Sequence, residues 1–273
     1  MTKLGIIAAC MLSLPLFVPA CSDTEAPGTP IDETPIDEPP IDEPPVAEPP
    51  IDEPPVDEPP ATMPPDADAF GQSMSAWGAA WWTWAFGVPE DENPLFGHDC
   101  DTHQSGPVFF LTGNMGSGAE TRSCTVPADK ALFFPLLNAT CASYVQDDLC
   151  CNANDEELEA CVNGFFDPAL TIDLVAELDG VPLPNLDAHM TDAQPFSWTG
   201  PEDPATAFHP YALPTGPNEC GFPEDARNGM TKGYYLMLAP LSPGEHTLRF
   251  GGKMTFPEDR VFEVDITYQL TQK

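Results

Sequence analysis

The densest set of reactive side chains lies at residues 97–103, Gly-His-Asp-Cys-Asp-Thr-His. His98 and His103 offer imidazole nitrogens, and Asp99 and Asp101 offer carboxylate oxygens. These are the donors that zinc or another divalent cation takes. His209 or His246 would complete the set from elsewhere in the fold. A solvated acidic loop is the simpler reading, because the spacing is not that of one helix face and Cys100 between them is a disulfide candidate. No cofactor is therefore expected, a divalent cation being the one exception. Nucleophilic catalysis has less support. There is no G-x-S-x-G elbow, and Ser105 and Ser117 neighbour His103 only along the chain. Carboxylates are too many for any pair to be singled out for glycoside hydrolysis. The acidic stretch 147–159 lacks the glycine-centred loop of an EF-hand and reads as the start of a helix, where negative charge is favourable.

A second chemistry is stacking. Trp82, Trp198 and Tyr211 would bind sugar faces if exposed. Three tryptophans fall within four residues at Trp81-Trp82-Thr83-Trp84. Phe70, Met74, Trp77, Trp81 and Trp84 recur at steps of four and three, which predicts one amphipathic helix with these residues facing a core. Asp66 or Asp68 would cap it, and Gly87 with Pro89 would end it. Trp82 falls off the stripe, which leaves it as the exposed candidate.

The elements that follow are strands. Residues 107–112 and 131–137 are short apolar runs, joined through a glycine-rich loop that lacks the phosphate-binding spacings. Residues 155–167 read as a short helix. Residues 170–178 alternate, with Asp179-Gly180 as a hairpin turn after them. Residues 233–241 are apolar on both faces and read as a central strand. In 261–270, Phe262, Val264, Ile266, Tyr268 and Leu270 share one face. His246 alternates with Leu248 and Phe250, as a packed or rim histidine, and Arg249 points the other way, to solvent. The proline-rich stretch 191–231 reads as a long loop. This pattern predicts a mainly β head over residues 66–273. It would be a β-sandwich, immunoglobulin-like or jelly-roll-like, with an N-terminal amphipathic helix.

Seven cysteines lie in that head: Cys100, Cys124, Cys141, Cys150, Cys151, Cys161 and Cys220. None has the paired C-x-x-C spacing of a structural zinc site. The expected pairs are Cys100–Cys124, Cys141–Cys161, and Cys220 with one of Cys150 and Cys151. Seven is odd, so one thiol is left over or pairs between molecules.

Residues 1–20 read as a secretory signal: Lys3, an apolar run from Leu4 to Val18, and the small residue Ala20. Cys21 follows as in a bacterial lipobox, so acylation there would hold the chain to membrane lipid. Ser22 after it favours the outer membrane. Residues 21–65 form an acidic, proline-rich stalk, with six pentapeptides of the IDEPP type over residues 31–60. Such a stretch is too polar to build a core and favours extended polyproline II. At ~3.1 Å per residue, the repeats of residues 31–60 would reach roughly 90 Å if fully extended. Acidic residues number 44 against 9 basic ones, a net charge of −35. Such a field repels nucleic acid, which is excluded as a partner.

Four segments carry a resemblance: WWTWAFGVPEDENPL, CDTHQSGPVFFLTG, RSCTVPADKALFFPLLNATC and GYYLMLAPLSPGEHTLRFGG. In that order they resemble a family of uncharacterised exported proteins of bacteria and some archaea. The resemblance covers most of residues 77–270 and implies an extracytoplasmic β-rich domain, with no activity attached. LSPGEHTLRF is also similar to the last strands of many immunoglobulin-like sandwiches. Together these features predict a lipid-anchored envelope protein whose head binds glycan or an envelope component. The alternatives are an extracytoplasmic metal-dependent hydrolase using His98 and His103, and a purely structural envelope protein.

Overall fold

The computed structural model describes residues 62–143, 154–203, 206 and 227–273. Residues 1–61, Cys21 among them, and Cys150, Cys151, His209, Tyr211 and Cys220 lie outside them, whereas residues 62–65 of the expected stalk are described, Thr62 bridging to Leu238 and the Met63 N–H donating to the Met237 carbonyl at 2.9 Å. The described chain is mainly β, with two sheets and two disulfides. In one sheet the order is β1-β3-β7-β6: β1 (Val108–Phe110), β3 (Ala131–Ser143), β7 (Arg227–Leu238) and β6 (Gln194–Trp198). The other runs β2-β9-β8-β4-β5: β2 (Gly118–Val126), β9 (Val261–Gln272), β8 (Gly244–Thr255), β4 (Thr171–Leu178) and β5 (Val181–Pro182). Two pairs are parallel, β1 with β3 and β2 with β9.

The apolar runs explain this layering. In β3 successive side chains point to opposite faces. Leu132, Phe134 and Leu136 join the core shared with the second sheet, and Ala131 and Phe133 join a second core on the other side. Both faces of β3 are thus buried, which is why its sequence is a continuous apolar run. Phe134 meets Phe250 of β8 with ring centroids 4.5 Å apart. Pro135 has no N–H for the ladder, and the β3–β7 register shifts between Pro135 and Leu137. Along β9 the inward set is Val264, Ile266, Tyr268 and Leu270.

The second core is built by α1 (Met74–Gly87), capped by the Ser73 hydroxyl, which accepts from the Ala76 N–H. Here the structure corrects the sequence reading. The helix is not amphipathic: Met74, Trp77, Gly78, Ala79, Trp81, Trp82, Ala85 and Phe86 are all buried. The expected stripe packs against β1 and the segment leading into it, with Trp77 and Trp84 on Phe110. A second stripe packs against β6 and β7. A Cβ on Gly78 would stand 2.8 Å from the Tyr235 ring, so glycine lets the helix settle on that ring. Phe70 lies before the helix and is 49 % exposed, so it is not part of the stripe.

The other elements follow their local signals. α2 (Asp155–Phe166) starts on a capping box in which Asn154 and Glu157 satisfy each other's backbone N–H. Asp179 and Gly180 take φ of 52° and 78°, the two-residue turn expected between β4 and β5. β2 is an addition that the sequence reading lacked. The stretch 191–231, expected as a loop, contains β6 and the start of β7.

Candidate functional site

The loop carrying His98 and His103 is held from below. Asn93 is buried, and its amide donates to the carbonyls of Ala85 at 2.7 Å and Val88 at 3.2 Å. Its side-chain oxygen accepts from Leu95 N–H at 3.1 Å. Cys100 is bonded to Cys124 of β2. Gln104 imitates a strand: its amide donates to the Phe110 carbonyl at 2.8 Å, and its oxygen accepts from the Phe110 N–H at 2.9 Å. Arg122 braces the same region, donating to Pro94 O at 2.8 Å, Thr112 Oγ1 at 2.8 Å and Glu120 Oε1 at 2.7 Å.

On this frame the four expected ligands diverge. Successive turns, Thr102 N–H to Asp99 O and Gln104 N–H to Asp101 O, keep redirecting the chain. His103 stands 3.6 Å from Glu92, both of them exposed. His98 instead lines an open depression of about 500 Å³ with Glu90, Asp91, Phe96 and Thr206. Among the described residues no three His, Cys, Asp or Glu side chains are grouped to hold a metal. His98, Asp99, Asp101 and His103 are therefore not gathered into one ligand set. Of the two further candidate ligands, His209 lies outside the described residues and His246 is hydrogen-bonded to Asp179 and Ser242.

The stacking candidates are also relocated. Trp82 is 5 % and Trp198 is 3 % exposed, so neither presents a ring face to a sugar. Trp82 packs on Trp81 at 4.9 Å and Phe86 at 5.0 Å, and Trp198 packs on Phe86 at 4.8 Å. Tyr235 lies beneath them, and burial pushes its hydroxyl up to about 12 despite its hydrogen bonds with Thr231 and Asn138. The Trp82 Nε1 is buried without a hydrogen-bond partner among the described residues. Replacing Trp82 with alanine should therefore cost about 3 kcal/mol of stability, as for other buried aromatic truncations. A urea melt unchanged from the parent would put the ring back on the surface. The exposed ring near His98 is Phe96, at 40 %. Phe96 carries no periodic signal in the sequence.

A third constellation joins residues that are distant in sequence. The β4–β8 register sets Leu178 opposite Leu248 and so brings the Asp179 turn beside His246. His246 Nδ1 is 2.7 Å from Asp179 Oδ2. Its Nε2 is 2.9 Å from the Ser242 carbonyl and 3.4 Å from the Ser242 hydroxyl. The types are those of a Ser-His-Asp triad, but the arrangement is not. A general base must turn its Nε2 lone pair to the serine hydroxyl, whereas here the nearer partner is a carbonyl, which only accepts. Burial of His246 opposes its charge, but the hydrogen bonds to Asp179 and Ser242 and the charges of Asp179 and Glu245 outweigh it, raising its pKa. The sequence identifies the Asp179-Gly180 turn and His246 separately. Only the strand register makes them neighbours. Arg249, on the opposite face, is half exposed and pairs with Asp265 at 3.0 Å.

The fold and these sites define a mainly β, disulfide-braced domain with two packed sheets and a buried helix. Compared with family models, curated proteins and solved structures, the chain matches none. Among the described residues no helix is long and apolar enough to cross a membrane.

Proposed function

We propose that this chain is an exported lipoprotein, anchored to membrane lipid through Cys21, whose stalk of residues 21–65 presents a non-enzymatic binding head. The observation that carries the reading is the pair of disulfides, Cys100–Cys124 and Cys141–Cys161. Such bonds form and persist in oxidising, extracytoplasmic compartments. The lipobox-like Cys21 and Ser22 support an outer-membrane destination. The resemblance to exported β-rich proteins points the same way.

For the head we propose recognition of a glycan or envelope component at the depression lined by Glu90, Asp91, Phe96, His98 and Thr206. A partly exposed ring beside two carboxylates suits a sugar, whose C–H face stacks and whose hydroxyls donate. The hydrolase reading loses support because His98 and His103 share no ligand group. We read the two packed sheets as a sandwich, immunoglobulin-like or jelly-roll-like, whose edge strands β1 and β2 each pair in parallel with their neighbour.

Two measurements test the reading. In a bacterial host, radiolabelled palmitate should enter the parent chain, and Cys21→Ser should abolish labelling and release the protein in soluble form. Equal labelling of both would exclude the anchor. The released full-length chain should then bind an envelope-polysaccharide array, with binding weakened about tenfold or more by Phe96→Ala, the loss expected when a stacking contact of roughly 1.4 kcal/mol is removed. A head that binds only its own copies would favour the purely structural alternative.

A further inference from the structure

We propose that Asp179, His246 and Ser242 form a proton-dependent latch that sets the position of the turn between β7 and β8. Asp179 is fixed first. Its N–H donates to the Thr247 carbonyl at 2.8 Å, and its Oδ1 accepts from the Thr247 N–H at 2.7 Å. Its second oxygen, Oδ2, is left to His246 Nδ1 at 2.7 Å. A carboxylate only accepts, so Nδ1 carries a proton in both charge states of the ring. The titrating atom is therefore Nε2.

Nε2 faces two groups of one residue. When protonated it donates to the Ser242 carbonyl, at 2.9 Å. When it loses that proton its lone pair opposes the carbonyl lone pairs, and the contact becomes repulsive. The Ser242 hydroxyl, 3.4 Å away, then becomes the only one of the two able to donate to it. Closing that distance while the carbonyl backs off requires movement of the turn, residues 239–243. The ring itself is held, with its side chain only 13 % exposed.

The charged groups facing His246 are both negative: Asp179 from the β4–β5 turn and Glu245 from β8. Glu245 also accepts from the Thr271 hydroxyl at 3.0 Å. The neighbouring β9 partners, Gln269 and Thr271, are uncharged, and Arg249 is engaged with Asp265. All of this favours the imidazolium. A raised folded pKa means that the latch contributes fully below the ordinary histidine value of 6.5 and is lost as pH rises through the folded value. At a cell exterior, the turn would then respond to external pH.

The test is a ¹⁵N-histidine NMR titration of the full chain, with His246 assigned by loss of its signals in His246→Gln. The expected pKa lies above 6.5, and the neutral ring is the Nδ1–H tautomer, the minor one in water. The Leu241, Ser242 and Gly244 amides should shift in step with it. Ser242→Ala keeps the carbonyl and removes the hydroxyl that serves the neutral ring, so it should raise the pKa further, by about half a unit. Asp179→Asn should lower it. A neutral Nε2–H tautomer, turn amides silent through the titration, or a Ser242→Ala pKa that stays or falls would each overturn the latch. The tautomer is read on the unmodified protein, so a variant that misfolds does not shield the proposal.

Discussion

Replacing Trp81 with alanine should remove about 3–5 kcal/mol of stability, the upper range for buried aromatic truncations. Its ring is 1 % exposed. It lies edge-on to Trp82 at 4.9 Å and to Trp84 at 6.1 Å, so its loss opens a void among rings that cannot collapse together. Its Nε1 also donates to the Leu111 carbonyl at 2.9 Å, just past β1. Truncation leaves that carbonyl buried and unpaired, a cost beyond the cavity itself. The check is a urea denaturation of the Trp81→Ala chain beside Trp84→Ala. Trp84 is only half buried, so its truncation should cost less. Equal midpoints for the two variants would contradict this account of α1.

Removing the Cys141–Cys161 bond by a double serine substitution should cost about 3 kcal/mol, from the closure of a loop of this length. The bond spans a sequence separation of 20 residues and joins β3 to α2. What distinguishes it from Cys100–Cys124 is that it ties down the N-terminal part of α2, the other end being anchored by Phe166 in the main core, 6.2 Å from the Tyr234 ring. The cluster beneath the helix is small: Cys141, Leu158, Val162 and Met230, with Ala193 alongside. Lys232 adds one hydrogen bond, to Asn163 at 2.8 Å. The loss should therefore be local first. In the variant, amide exchange over residues 155–162 should speed up well before the strands open. Uniform acceleration across both sheets would show instead that α2 and the body unfold as one unit.

How far the residues alone lead depends on which rule decides each position. Periodicity finds β9 and β4, where one face is buried and the other wet. It also finds β3 and β7 as continuous apolar runs. It misses β2, because Thr121, Ser123 and Thr125 are exposed and its other face carries Glu120 and Arg122. Only Cys124 and Val126 alternate with polar neighbours, too short a run to read as a strand. It also misplaces Trp82. A stripe argument assumes that one side of a helix meets water, yet α1 is covered on one side by β1 and its approach and on another by Tyr235, Phe196 and Trp198. The candidate site is less legible still. Cystine pairing, 3-10 turns and strand register decide where His98, His103 and His246 end up. Each of these is a contact between residues far apart in sequence, or a turn whose direction spacing does not encode.

The position of β9 has a consequence for how the domain comes into being. Gly118 of β2 lies opposite Val264 and Val126 opposite Gln272, so among the described residues β2 finds its only strand neighbour in a segment made long after it. β8 likewise leans on β9 along its whole length. On the exported route proposed above, β2, with Cys124 on it, would reach the far side before its partner strand arrives. Its bond to Cys100 is local and can form early, whereas the second sheet has to wait. Pairings of such long separation are slow to close. During that interval the half-built sheet offers an open edge to whatever chaperone or neighbouring chain is present.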